Sequence, residues 1–152
     1  MNSSVRVLLA DDDEYDSLLT RRALAPGVAE TDLITVVDGL QVLDFLYRRR
    51  QFSGQPSLQP SFVLLDLKMP RVDGFEVLAQ AKSDPVLKVI PMIVLTSSRQ
   101  PYDRERAYQL GANGYVVKTM DFEVYTEALR TLSHFWLDIN EVPPTCRGRV
   151  DR

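Results

Sequence analysis

Phe62-Val63-Leu64-Leu65-Asp66-Leu67-Lys68-Met69-Pro70-Arg71-Val72-Asp73-Gly74 is the stretch on which the fold turns. Four apolar residues run directly into a carboxylate, and a Pro and a Gly punctuate the positions that follow. A continuous apolar run bounded by turn residues predicts a strand covered on both faces, as in a parallel sheet. Asp66 then falls at the strand's carboxyl end, where open α/β sheets place their ligands.

Working outward, the same pattern recurs. Val5 to Ala10 is a short apolar run ending at Asp11-Asp12-Asp13-Glu14. From Tyr15 to Ala25, Tyr15, Leu18, Leu19, Ala23 and Leu24 fall near helical spacing, and Pro26-Gly27 ends that helix. Leu33 to Val37 reads as a second strand, and Asp38-Gly39 turns into a helix carrying Val42, Leu43, Phe45, Leu46 and Tyr47. Arg48-Arg49-Arg50 closes that helix, where cations complement the helix dipole and stay solvated. Residues 51–61 form a loop with Gly54, Pro56 and Pro60. Beyond Asp66, a helix over 74–84 stops at Pro85, and Pro91 to Thr96 makes the fourth strand. Pro101 opens the next helix, Gly114 to Lys118 is the fifth strand, and Asp121 caps a last helix. On it Phe122, Tyr125, Leu129, Leu132, Phe135, Trp136 and Ile139 lie on or near one stripe. Strands and helices that alternate in this way, with short connections, predict a three-layer α/β domain around a parallel sheet of five strands.

The 152 residues suit one domain, and 45% hydrophobic content supplies a core. A net charge of -3 and a pI near 5.2 give no basic surface for nucleic acid. The single cysteine, Cys146, excludes an internal disulfide or a multi-cysteine metal site, and a reducing cytoplasm is the simplest setting. No run suits a membrane span or a signal peptide.

With parallel strands, one edge of the sheet receives Asp11, Asp12, Asp66, Thr96 and Lys118, each closing or following an apolar run. Convergent polar groups of this kind mark a site. Carboxylates held close repel, so either a pKa rises or a cation settles among them. An all-oxygen site suits Mg²⁺, which keeps several waters and favours a phosphate oxygen as a further ligand. Asp66 is the candidate nucleophile toward phosphorus, with Lys118 and the Thr96 hydroxyl positioned to neutralise phosphoryl oxygens.

These motifs resemble the response-regulator receiver domain: an acidic pair after strand one, Asp66 to Gly74 around the acceptor, Thr96 after strand four, and Gly114-Tyr115-Val116-Val117-Lys118 at strand five. The likeness runs over about residues 5 to 135. Within the family the chain is most similar to single-domain regulators that partner bacterial and cyanobacterial phytochromes, from its loop before strand three and Phe135-Trp136-Leu137 before Pro143-Pro144. The resemblance implies a flavodoxin-like receiver fold, with residues 1–140 as the receiver domain and 141–152 as a tail. It implies Asp66 as phospho-acceptor, Asp11, Asp12 and the Lys68 backbone carbonyl around Mg²⁺, and Thr96 with Tyr115 as a switch pair altering the surface of helix four, strand five and helix five. The implied partner is a sensor histidine kinase, of phytochrome type.

One position departs from the family: Thr119 follows Lys118 where the family carries Pro, often after a cis bond. Asp13 exceeds the motif and reads as a helix cap or an outer-shell charge rather than a metal ligand. His134 reads as a packed or surface histidine and Cys146 as a bystander thiol. Neighbouring helical residues point about 100° apart, so Phe135 and Trp136 cannot both face inward, and they are candidate interface residues for a homodimer. Three other functions compete. An Asp-nucleophile phosphohydrolase needs an acid two positions after the nucleophile, where this chain has Lys68. A flavin carrier needs a phosphate cradle where Asp11-Asp12-Asp13 repels one. A receiver-like module that is never phosphorylated would need a broken site, and this one is intact.

Overall fold

The structure, a computed structural model, describes residues 6–54 and 59–146. Val5, Pro56 and the last six tail residues, 147–152, therefore lie outside the described residues. Five strands form one parallel sheet: β1 (Val7–Ala10), β2 (Leu33–Val36), β3 (Phe62–Leu65), β4 (Met92–Thr96) and β5 (Gly114–Val117), in the order β2-β1-β3-β4-β5. Five helices connect or follow them: α1 (Glu14–Leu24), α2 (Gly39–Leu46), α3 (Gly74–Ser83), α4 (Pro101–Gln109) and α5 (Phe122–His134). The chain order alternates as the sequence predicts, and the strand order is that of a flavodoxin-like doubly wound sheet.

The period of two along each central strand divides the core. Leu8, Ala10, Val63, Leu65, Met92 and Val94 point to the side covered by α2, α3 and α4. Val7, Leu9, Phe62, Leu64, Ile93 and Leu95 point to the side covered by α1 and α5. Because β1, β3 and β4 are buried on both faces, their sequences are uninterrupted apolar runs. Register holds Ala10 beside Leu65 and Leu65 beside Val94, so the residues that follow these strands emerge together at one edge.

Two helices bury only part of the faces expected of them. On α1 the inward residues are Ser17, Thr20, Ala23 and Leu24, whereas Tyr15 is 68% exposed and Leu18 is also exposed. The reason is a polar contact across the layer: the Thr20 and Tyr125 hydroxyls lie 2.7 Å apart, inside the α1–α5 packing. On α5 the buried residues are Tyr125, Leu129 and Ser133, while Phe122, Phe135 and Ile139 face solvent. The helix then widens into a π-type turn over Phe135–Ile139, which turns Leu137 inward and brings Trp136 within 6.4 Å of the Phe62 ring. Of the adjacent aromatics, Trp136 packs on the core and Phe135 points out.

The three arginines after α2 are held more tightly than helix-dipole solvation requires. Asp44 is buried on α2 and takes Arg49 Nε at 2.6 Å and Arg50 Nη1 at 2.7 Å, and the Arg48 guanidinium lies 4.7 Å from the centre of the Phe45 ring. The start of the segment assigned as a tail also belongs to the body. Cys146 is 3% exposed and bridges to Gln59, whose N–H donates to the Thr145 carbonyl at 2.8 Å, and Val142 packs beside it. This contact lies at the amino end of β3, the opposite end of the sheet from Asp66.

Candidate functional site

Asp11 follows β1 directly and is 2% exposed. Its Oδ1 accepts the Asp13 N–H at 2.9 Å, which fixes the carboxylate against the first turn of α1. Asp13 itself caps α1, accepting from the Asp16 N–H at 2.9 Å, the role expected for it. Asp12 between them is exposed. Asp66 follows β3, and its N–H is tied to the Ala10 carbonyl at 3.0 Å, so the sheet ladder itself sets its place beside β1.

The loop after Asp66 is held by close packing. Gly74 donates its N–H to the Leu67 carbonyl at 2.9 Å, and any Cβ there would overlap the Asp66 carbonyl, so only glycine allows α3 to start this near Asp66. Asp73 caps α3, accepting from the Glu76 N–H at 2.9 Å. Arg71, with φ of 66°, reaches Asp38 at the start of α2 through Nε at 2.9 Å and Nη2 at 2.7 Å.

Lys118 follows β5, its N–H bonded to the Thr96 carbonyl at 2.7 Å. Its Nζ lies 2.7 Å from Asp11 Oδ2 and 3.2 Å from both Asp66 Oδ2 and Asp16 Oδ2. Among the described residues there is no cis peptide, so Lys118-Thr119 is trans, and Lys118 reaches the acids without the proline of the family pattern. Burial pushes the Asp11 carboxyl up to about 6 against the pull of Lys118. Burial alone would push the Lys118 ammonium down, yet its bond to Asp11 and the charges of Asp66, Asp11 and Asp16 hold it above its ordinary value.

Carboxylate oxygens of Asp11, Asp12 and Asp66 lie within 4.8 Å of one another. Three hard oxygen donors, one of them exposed where waters can complete the shell, fit a divalent cation such as Mg²⁺. Lys68 lines the same cavity as Asp12, with Leu67, Met69 and Asp73. The sequence-predicted residues Asp11, Asp12, Asp66 and Lys118 are thus brought together, and Thr96 closes β4 beside them at 2% exposure.

Ser98 joins Thr96 to Tyr115. The Thr96 hydroxyl accepts the Ser98 N–H at 3.3 Å, and the Tyr115 hydroxyl donates to the Ser98 carbonyl at 3.0 Å. The Ser98 hydroxyl donates to Asp103 in the first turn of α4 at 2.6 Å. The family resemblance puts Ser98 beside the path of an attacking water, but neither it nor Asp16 was expected in this network. For Asp16 a signal existed, because it falls in the first turn of the helix that follows the acidic run, at the same edge of the sheet. Ser98 left no comparable signal, since serine in a loop is ordinary.

Residues 7–130 match the response regulator receiver domain, and the chain belongs to that family. It is 34% identical over 137 residues to the response regulator Rcp1 of Synechocystis sp., covering 90% of this chain and 92% of that protein. Among solved structures it is similar to the phosphorylated cyanobacterial phytochrome response regulator RcpA, with a TM-score of 0.84 and 32% identity over 93% of this chain and 99% of that one. The Mn²⁺-bound form of Rcp1 gives a TM-score of 0.83 and 34% identity, with 93% and 99% coverage. The protein is a response regulator of two-component signalling, similar to the phytochrome-associated members of the family.

Proposed function

We propose that the protein accepts a phosphoryl group on Asp66 from a sensor histidine kinase of the phytochrome type, with Mg²⁺ bound at Asp11, Asp12, Asp66 and the Lys68 backbone carbonyl. The observation that carries this reading is the convergence of Asp11, Asp12 and Asp66 with Lys118 on one sheet edge, three carboxylates with oxygens within 4.8 Å of one another and one ammonium paired with two of them. An Asp66 carboxylate oxygen attacks the phosphorus of a phosphohistidine. The P–O bond forms as the P–N bond breaks, and the imidazole nitrogen leaves with the electron pair and takes a proton from solvent. When bound, the cation offsets charge on the carboxylates and the incoming phosphoryl oxygens. Lys118 balances a further phosphoryl oxygen, and the Thr96 hydroxyl is available to donate to another. Lys68 stands where a phosphohydrolase would need its second acid, which favours an acceptor over an enzyme of repeated turnover.

The change is read out through the Thr96–Ser98–Tyr115 connection to α4, and so through the α4-β5-α5 surface. That surface carries exposed Tyr102 and Tyr108 on α4 and Phe122 and Val124 on α5, and Phe135 and Ile139 extend it past the helix end. These features support a homodimer through that face, with Phe135 rather than Trp136 as its aromatic anchor. Sedimentation that finds only monomer at high concentration removes the dimer.

The acceptor assignment is tested by incubating wild type and Asp66→Asn with acetyl phosphate and Mg²⁺ and weighing the intact proteins. One added phosphoryl group on wild type alone is expected. A gain in both proteins, or in neither, overturns the assignment of Asp66.

A further inference from the structure

The Lys118 ammonium has three protons and meets three carboxylates. Two of them, Asp11 and Asp66, follow strands, are buried, and belong to the trio whose oxygens gather within 4.8 Å. The third, Asp16, differs in origin and setting. It comes from α1, its side chain is 39% exposed, and it belongs neither to that trio nor to the helix cap, which Asp13 supplies. Asp16 and Lys118 line one cavity of about 550 Å³ together with Ser97 and Thr119, so their pairing lies on a side of the site that is open to approach.

A lysine ammonium on a four-carbon stem is aimed only by its partners. Here the aim has to survive a change of partners. As Asp11 turns to a cation and Asp66 takes up phosphorus, both withdraw oxygen atoms from the amine, and Asp16 is the one acid of the three with no other duty. We infer that Asp16 is a positioning residue for phosphoryl transfer, holding Lys118 Nζ at the mouth of the site throughout the step and acting through the lysine rather than on phosphorus. This rests on the reading of Asp66 as acceptor. No bond forms or breaks at Asp16, so its contribution is orientation, of the kind whose loss slows a reaction without changing how the donor binds.

The test follows phosphorylation of the full chain by acetyl phosphate with Mg²⁺, in wild type, Asp16→Ala, Asp16→Asn, Lys118→Ala and the Asp16→Ala/Lys118→Ala pair. Asp16→Ala is expected to lower the rate at saturating donor about tenfold, with the half-saturating donor concentration unchanged. Asp16→Asn keeps an acceptor oxygen without the charge and restores part of the rate. In the Lys118→Ala background, Asp16→Ala changes nothing further, because its route of action is already gone. Should Lys118→Ala accept no phosphoryl group, the coupling is read from the Lys118 Nζ proton signal by NMR, slow to exchange in wild type and lost in Asp16→Ala. A rate within twofold of wild type for Asp16→Ala overturns the inference, as do additive effects of the two alanines or an Nζ signal indifferent to Asp16. Asp66→Asn is carried beside these variants as a control: a phosphoryl group gained by it would instead overturn the acceptor reading, and the two failures are told apart on that control.

Discussion

Helices α3 and α4 are neighbours of almost equal length, yet they are secured in opposite ways. α3 buries Gly74, Phe75, Val77, Leu78 and Ala81 and begins on a side-chain cap from Asp73. α4 buries Ala107 alone and begins at Gln100, which makes no side-chain capping bond. Its remaining anchors are the Ser98–Asp103 bond at one end and the Arg106 guanidinium 4.1 Å from the centre of the Phe75 ring. One flank of the acidic site is therefore fastened by apolar burial, and the other hangs on a few polar contacts. Elements with few buried apolar contacts open at lower free energy and are where two-state rearrangements arise. A small movement of Thr96 would leave α3 in place while freeing α4 to shift.

The largest effect that would break this contrast lies in α3. Leu78→Ala should lower unfolding free energy by about 2–5 kcal/mol in chemical denaturation, because it opens a cavity in a fully buried layer. A loss near zero would mean that α3 is no better seated than α4.

Next in size is the response to Mg²⁺. At about 100 times its dissociation constant the ion should stabilise the fold by about 2.7 kcal/mol near pH 7.5, with slower amide exchange around Asp11 and Asp66 and little change in α4. The effect should shrink as pH falls through about 6. Asp11, raised from its usual 3.8, binds a proton more readily folded than unfolded in that window. Its contribution to stability without the ion is thus best at low pH and is lost as pH rises through about 6, and a cation competing with the proton shows the reverse trend. Melting temperatures with and without Mg²⁺ at pH 5 and pH 7.5 check the sign.

Ser98→Ala should remove about 1 kcal/mol and accelerate hydrogen exchange in α4 while leaving α3 unchanged. Equal acceleration in both helices would show that Ser98 supports the whole domain rather than one joint. The smallest effect belongs to the outer face of α4. Tyr102 is 74% exposed, so Tyr102→Ala should leave monomer stability within about 0.5 kcal/mol, and any weakening should appear in self-association measured by sedimentation.

Much of this is legible in the sequence. The apolar runs at Leu8, Val63 and Val94 are uninterrupted because both faces of the central strands are covered, and such runs identify a parallel sheet and its edge. Asp11, Asp66, Thr96 and Lys118 followed, since each ends or succeeds a strand. The inward face of α1 was not legible, because Ser17 and Thr20 are polar residues in a layer whose packing turns on the Tyr125 hydroxyl, a partner 105 residues along the chain. Asp44 was hidden for the same reason: a buried carboxylate makes sense only once Arg49 and Arg50 fold back on it. The π-type turn that separates Trp136 from Phe135 depends on how Leu137 meets the core, which periodicity within one helix does not specify.

Cys146 has a practical consequence. It is the chain's sole sulfhydryl, and its shielding depends on the stretch 141–146 lying against the end of the sheet remote from the acids. A thiol-specific dye added to the native protein would therefore act as a clock, colouring each molecule only when that flap lifts. Running the clock with and without acetyl phosphate would reveal whether events at one rim of the sheet are felt at the other.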